Sequence, residues 1–129
     1  MGGRQMQLDV LQPIKPSEAP SIAPDDRPID LVHLARMTLG ERSLEREVLQ
    51  LFDRQATLLI AHMRSQPAGI ATLAHTLKGS ARGIGAWRVA RAAEIVELAP
   101  AADVGGALDQ LAAAADEARG VIEELLRAN

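Results

Sequence analysis

A chain of 129 residues with 14 basic and 17 acidic side chains holds enough sequence for one core and too little for two domains with a cleft between them. Its net charge of -3 argues against a broad nucleic-acid surface, and the absence of cysteine excludes disulfides and thiolate metal sites. No apolar run approaches the roughly 18 residues of a membrane span, and the first residues lack the apolar core of a signal peptide, so the expectation is a soluble, cytoplasmic protein. One tryptophan, one phenylalanine and no tyrosine, set among many alanines and leucines, favour close-packed helices over sheet.

Prolines at 13, 16, 20, 24 and 28 forbid a continuous helix, so residues 1–28 are predicted to be an extended tail and 29–129 the helical domain. A short first helix is predicted over 29–39, stopped by Gly40 and lying as a lid on the rest. A long amphipathic helix follows and ends before Pro67. Its apolar positions are Leu44, Val48, Leu51, Phe52, Leu58, Leu59 and Met63. A third helix starts after Pro67 and stops near Gly83 or Gly85. The fourth turns Val89, Ala92, Ala93 and Val96 inward and ends before Pro100. The fifth carries an unbroken seam of Val104, Leu108, Leu111, Ala115, Ala118, Ile122 and Leu125. Four long helices joined by short loops predict an all-α, antiparallel up-and-down four-helix bundle.

The third helix is the unusual one. At about 100° per residue, Ile70, Leu73, Leu77, Ala81 and Ile84 share one face, while His75, Lys78, Gly79 and Arg82 fall on the opposite one. A solvent-facing imidazole, titrating near 6.5 when unperturbed, is largely neutral and nucleophilic at neutral pH. Cations at 78 and 82 suit a dianionic phosphoryl group attached to it. Glycine in mid-helix costs about 1 kcal/mol relative to alanine, and at 79 it leaves a gap through which another protein's active site reaches the ring. No acid or second nucleophile is expected on this face, which describes a covalent phosphate carrier better than a hydrolase.

The run His75-Thr76-Leu77-Lys78-Gly79-Ser80-Ala81, followed by Ile84-Gly85-Ala86, resembles the signature of the histidine-containing phosphotransfer (HPt) domains of multistep phosphorelays. The resemblance implies a four-helix bundle whose histidine accepts a phosphoryl group on its distal ring nitrogen from a receiver aspartate and passes it to another receiver. On that basis His75 is the phospho-acceptor, Lys78 and Arg82 stabilise the phosphoryl group, Gly79 admits the receiver and Ser80 is a small packing position. The implied partners are response-regulator receiver domains and a sensor histidine kinase. The receiver brings the Mg²⁺ ion, so this chain needs no cofactor or metal of its own and acts as a monomeric carrier rather than an enzyme. Docking candidates around His75 are Ala71 and Thr72 on its own helix and Gln55, Leu58 and Leu59 on the second, with His62 nearby.

The rival reading of a different class is a helical adaptor that binds a partner without phosphoryl chemistry. His33 and His62 are expected to be packed or hydrogen-bonded, and Asp30 with His33 falls short of the repeated Glu-x-x-His pattern of bundle metal sites. Lys78, Arg82, Arg88 and Arg91 against Glu94 make 72–96 locally basic, whereas 97–129 is acidic. That asymmetry suits docking on an acidic receiver pocket. Nucleic acid is disfavoured, because no interleaved aromatics are present to stack on bases.

Overall fold

The computed structural model describes residues 27–128, and all regular structure among them is helical. The tail expected over 1–28 therefore lies, apart from Arg27 and Pro28, outside the described residues. The helices are α1 (Leu31–Met37), α2 (Arg42–Ser65), α3 (Ile70–Ile84), α4 (Trp87–Leu98) and α5 (Val104–Ala128), with a 3₁₀ turn at Ala101–Asp103. Contacts run from α2 to α3, α3 to α4, α4 to α5 and α5 back to α2, a closed ring of neighbours, with α1 against α3.

Side chains show the directions. Arg46 donates to the Leu126 carbonyl (2.8 Å), Arg119 meets Asp53 (2.6 Å) and Arg64 meets Asp109 (3.3 Å), so α2 and α5 run antiparallel. Asp53 holds Arg119 further into its charged range. Arg88 of α4 pairs with Glu117 of α5 at 2.8 Å. The core inside the ring is aliphatic apart from one phenylalanine, built from Leu49, Phe52, Ala56 and Met63 of α2, Ala74, Leu77, Ala81 and Ile84 of α3, Val89, Ala90, Ala93 and Val96 of α4, and Leu108, Leu111, Ala118 and Ile122 of α5.

Helix α5 buries most of its expected seam, with Val104 and Leu125 half-buried at its ends. Helix α2 follows expectation in part: Phe52 and Met63 are buried, and Val48 and Leu59 pack against the core. Leu44, Leu51 and Leu58 are exposed, and the buried stripe is Leu49, Phe52, Ala56 and Met63. Two stripes of helical spacing overlap in this sequence. The core takes Phe52 and Met63 from the expected face, and Leu49 with the small Ala56, which lets neighbouring helices approach closely, takes the place of Leu44, Leu51 and Leu58.

Helix α1 is shorter than the predicted 29–39. It is capped by the Asp30 carboxylate, which accepts from the His33 amide at 3.1 Å, and Gly40 at φ 75° ends the turn behind it. Its anchorage is polar. The Asp30 amide donates to the Gly85 carbonyl (2.9 Å), the Trp87 indole N–H donates to Asp30 Oδ2 (2.9 Å), and His33 Nε2 bonds the Gly83 carbonyl (3.1 Å) with its ring edge-on to Trp87 at 5.0 Å. The indole hydrogen bond, with the His33 amide and ring behind it, holds the Asp30 carboxyl below the ordinary aspartate value. Gly85 caps α3 at φ 83°, and a Cβ there would lie 3.0 Å from both the Asp30 carbonyl and its Cβ, so this turn requires glycine on two counts. The anchored turn fixes the register of the α3–α4 hairpin.

Candidate functional site

Helix α3 presents two faces because its apolar residues recur at three and four: Ala74, Leu77, Ala81 and Ile84 are buried, Leu73 is half-buried, and His75, Gly79 and Arg82 are exposed. In a hairpin that turns at Ala86, residues equidistant from the turn fall level, 75 with 97 and 78 with 94. The consequence is a charged cluster. His75 Nδ1 lies 2.8 Å from Glu97 Oε2, and Lys78 Nζ lies 2.8 Å from Glu97 Oε1 and 3.9 Å from Glu94. Arg82 reaches Glu94 at 4.0 Å. Glu97 Oε1 is buried and meets Lys78 as charge against charge, without hydrogen-bond alignment.

Lys78, opposed by burial and then helped by His75, holds the Glu97 carboxyl below its ordinary value, so it is ionised at neutral pH. An ionised carboxylate only accepts. Nδ1 of His75 therefore carries a proton, and in the neutral ring the lone pair is on Nε2. The side chain is 65% exposed, so that lone pair is open to an approaching electrophile. The arrangement supplies one oriented nucleophilic nitrogen, an anion behind it to offset positive charge on the ring, and a lysine tied to the same anion.

Two expectations about this face need correction. Lys78, placed opposite the apolar stripe and expected to be exposed, has only 12% of its side chain accessible, because its stem runs across to the acids of α4. The face expected to lack an acid has two, Glu94 and Glu97, contributed by the neighbouring helix, so the locally basic character assigned to 72–96 is largely neutralised in place. Arg88, counted in that basic excess, is paired with Glu117. A helical wheel of α3 alone could not show the acids, but the spacing of Glu94 and Glu97 together with a hairpin at Gly85-Ala86 was a sufficient signal.

Gly79 is exposed, and a Cβ there would meet nothing within 4 Å, so no internal contact accounts for the glycine. Gly83 is equally open and does not end the helix, which continues to Ile84. Ser80 is half-buried, while Ala71 and Thr72 are exposed one turn before His75. On α2, Leu58 is 68% exposed, Gln55 half-buried, His62 exposed, and Leu59 half-buried against the core. His33 is hydrogen-bonded and packed, as expected. Asp30 and His33 spend their polar atoms on α1, Gly83 and Trp87. Among the described residues no group of three His, Cys, Asp or Glu side chains could hold a metal ion, and no helix is long and apolar enough to cross a membrane.

Neither the comparison with curated proteins nor that with solved structures returns a match. A family model, that of the Hpt domain, matches residues 42–127, from the first turn of α2 to the last turn of α5, with the solvent-facing histidine inside it and α1 outside. The chain belongs to the Hpt domain family, the histidine phosphotransfer modules of phosphorelays.

Proposed function

We propose that this chain is a phosphorelay intermediate that accepts a phosphoryl group on His75 Nε2 from the aspartyl phosphate of a receiver domain and passes it to another receiver. The observation that carries the reading is the pairing of an exposed imidazole with a carboxylate on its other nitrogen. In the forward step the Nε2 lone pair attacks phosphorus, the bond from phosphorus to the aspartate oxygen breaks, and the carboxylate leaves with its electron pair. The ring becomes cationic. Its Nδ1 proton stays on the hydrogen bond to Glu97, whose charge offsets it without a proton leaving the site. Lys78, sharing that carboxylate, and Arg82 are the cations assigned to the phosphoryl oxygens.

Positioning and charge do most of the work in phosphoryl transfer, so a carrier needs little machinery beyond this. By the family resemblance, the receiver contributes the aspartate and Mg²⁺, and a sensor histidine kinase feeds the relay. Gly79 leaves the gap for the receiver, with Ala71, Thr72, Gln55, Leu58 and Leu59 as the docking surface on α3 and α2. The four long helices form the antiparallel up-and-down bundle, acting as a cytoplasmic monomer. The adaptor reading gains nothing from the geometry, since a mere docking face has no use for a carboxylate that fixes a histidine tautomer. Phosphorus and nitrogen NMR of the protein labelled by a phosphorylated receiver tests the assignment: phosphorus bonded to Nε2 of His75 is expected, and phosphorus on Nδ1 or on another residue overturns it.

A further inference from the structure

Glu94 borders the His75 cluster and also forms the rim of an open groove of about 710 Å³ between α4 and the start of α5. Ile95, Leu98 and Pro100 form one wall, Gly106 and Ala107 the other, and the rim carries two acids, Asp103 and the Glu94 that Lys78 and Arg82 reach from behind, with no cation lining the groove among the described residues. Ile95 is 54% and Leu98 72% exposed, large apolar side chains turned to water side by side on one groove wall. Adjacent glycines at 105 and 106 open α5, and a Cβ on either would meet nothing within 4 Å. Helix propensity is given up there, up to about 1 kcal/mol per glycine, with no internal close approach to explain it.

We propose that this groove binds a short amphipathic helix of a partner protein, apolar on the face it buries and carrying Lys or Arg on its flanks. Two packed helices form a slot for a third, with anchors at i and i+4 reaching Ile95 and Leu98 and the missing side chain at Gly106 making room for the backbone. Asp103 favours a basic flank, and Glu94, shared with Lys78 and Arg82 on its far side, adds to it only in part. Because Glu94 joins the groove to the His75 cluster, the bound helix would tether its parent protein beside the acceptor. The flank of α3 that faces α2 stays free for a receiver, and the tether raises the partner's effective concentration.

The proposal does not depend on phosphoryl chemistry, and its test separates the two. The probe is a fluorescein-labelled designed peptide of about four helical turns, with leucines at i, i+4 and i+7 and lysines on both flanks; a twin carries glutamates instead. Anisotropy titrations of the protein should give saturable binding of the basic peptide and at least about tenfold weaker binding of the acidic twin. Leu98→Glu and Asp103→Lys should each weaken the basic peptide by about tenfold or more, amide shifts should centre on residues 95, 98 and 107, and His75→Gln should bind like the parent protein. Equal affinity for both peptides, indifference to Leu98→Glu, or shifts centred on α2 would each overturn the proposal. So would a dimer in sedimentation that Leu98→Glu dissociates, which would give the groove to a second copy of the chain.

Discussion

At the scale of single residues, Glu97 and Gly85 carry claims that substitutions test directly. Glu97→Gln keeps a hydrogen-bond acceptor beside Nδ1 but removes the charge that offsets a cationic ring, so phosphoryl uptake should slow by about tenfold or more with the fold intact. Its carboxyl lies below the ordinary glutamate value in the folded chain. The stability it contributes is therefore fully present above that unfolded-state value and is lost as pH falls through the lower folded one. Urea unfolding at neutral and at acid pH should show a smaller acid loss in Glu97→Gln than in the parent, with the part due to Asp30 remaining. Gly85→Ala meets both a left-handed φ of 83° and a contact of 3.0 Å with Asp30, and should destabilise by about 2 kcal/mol or more. Gly83→Ala has ordinary helical geometry and open space, and should stabilise by up to about 1 kcal/mol. Sequence alone treated these two glycines alike, as helix ends; the left-handed backbone at Gly85 and the approach of Asp30 and His33 separate them.

Periodicity located every long helix, because each has a buried face repeated over several turns and a proline or glycine near an end. What it misjudged was one edge of the buried face of α2. In α2 the leucines at 44, 51 and 58 and the stripe through Leu49 and Ala56 satisfy the same spacing, and only the positions of α3 and α5 decide between them. Leu49→Ala should cost about 2–4 kcal/mol, whereas Leu51→Ala should stay within about 0.5 kcal/mol; chemical unfolding of the two variants checks the assignment. In α3 the same reasoning succeeded for His75 and Gly79 and failed for Lys78, because a long side chain is placed by its partner rather than by its Cα. The candidate site was thus half legible. His75, Lys78 and Gly79 lie in one helix, and the carboxylate that meets both His75 and Lys78 comes from another.

For the molecule as a whole, the ring of α2 to α5 holds the core, and the polar anchorage of α1 at Asp30, Gly85 and Trp87 locks the hairpin that brings Glu97 level with His75. Fold and chemistry meet at that turn. Acids of α4 cover the basic residues of α3, so net charge along the sequence is a poor guide to the field at the acceptor. A phosphoryl carrier of this design must hold phosphate on His75. Incubation of the full chain with a receiver phosphorylated by radiolabelled donor should transfer label to an acid-labile, base-stable site in the parent protein and leave His75→Gln unlabelled at equal folded content, whereas undiminished labelling of His75→Gln would contradict it.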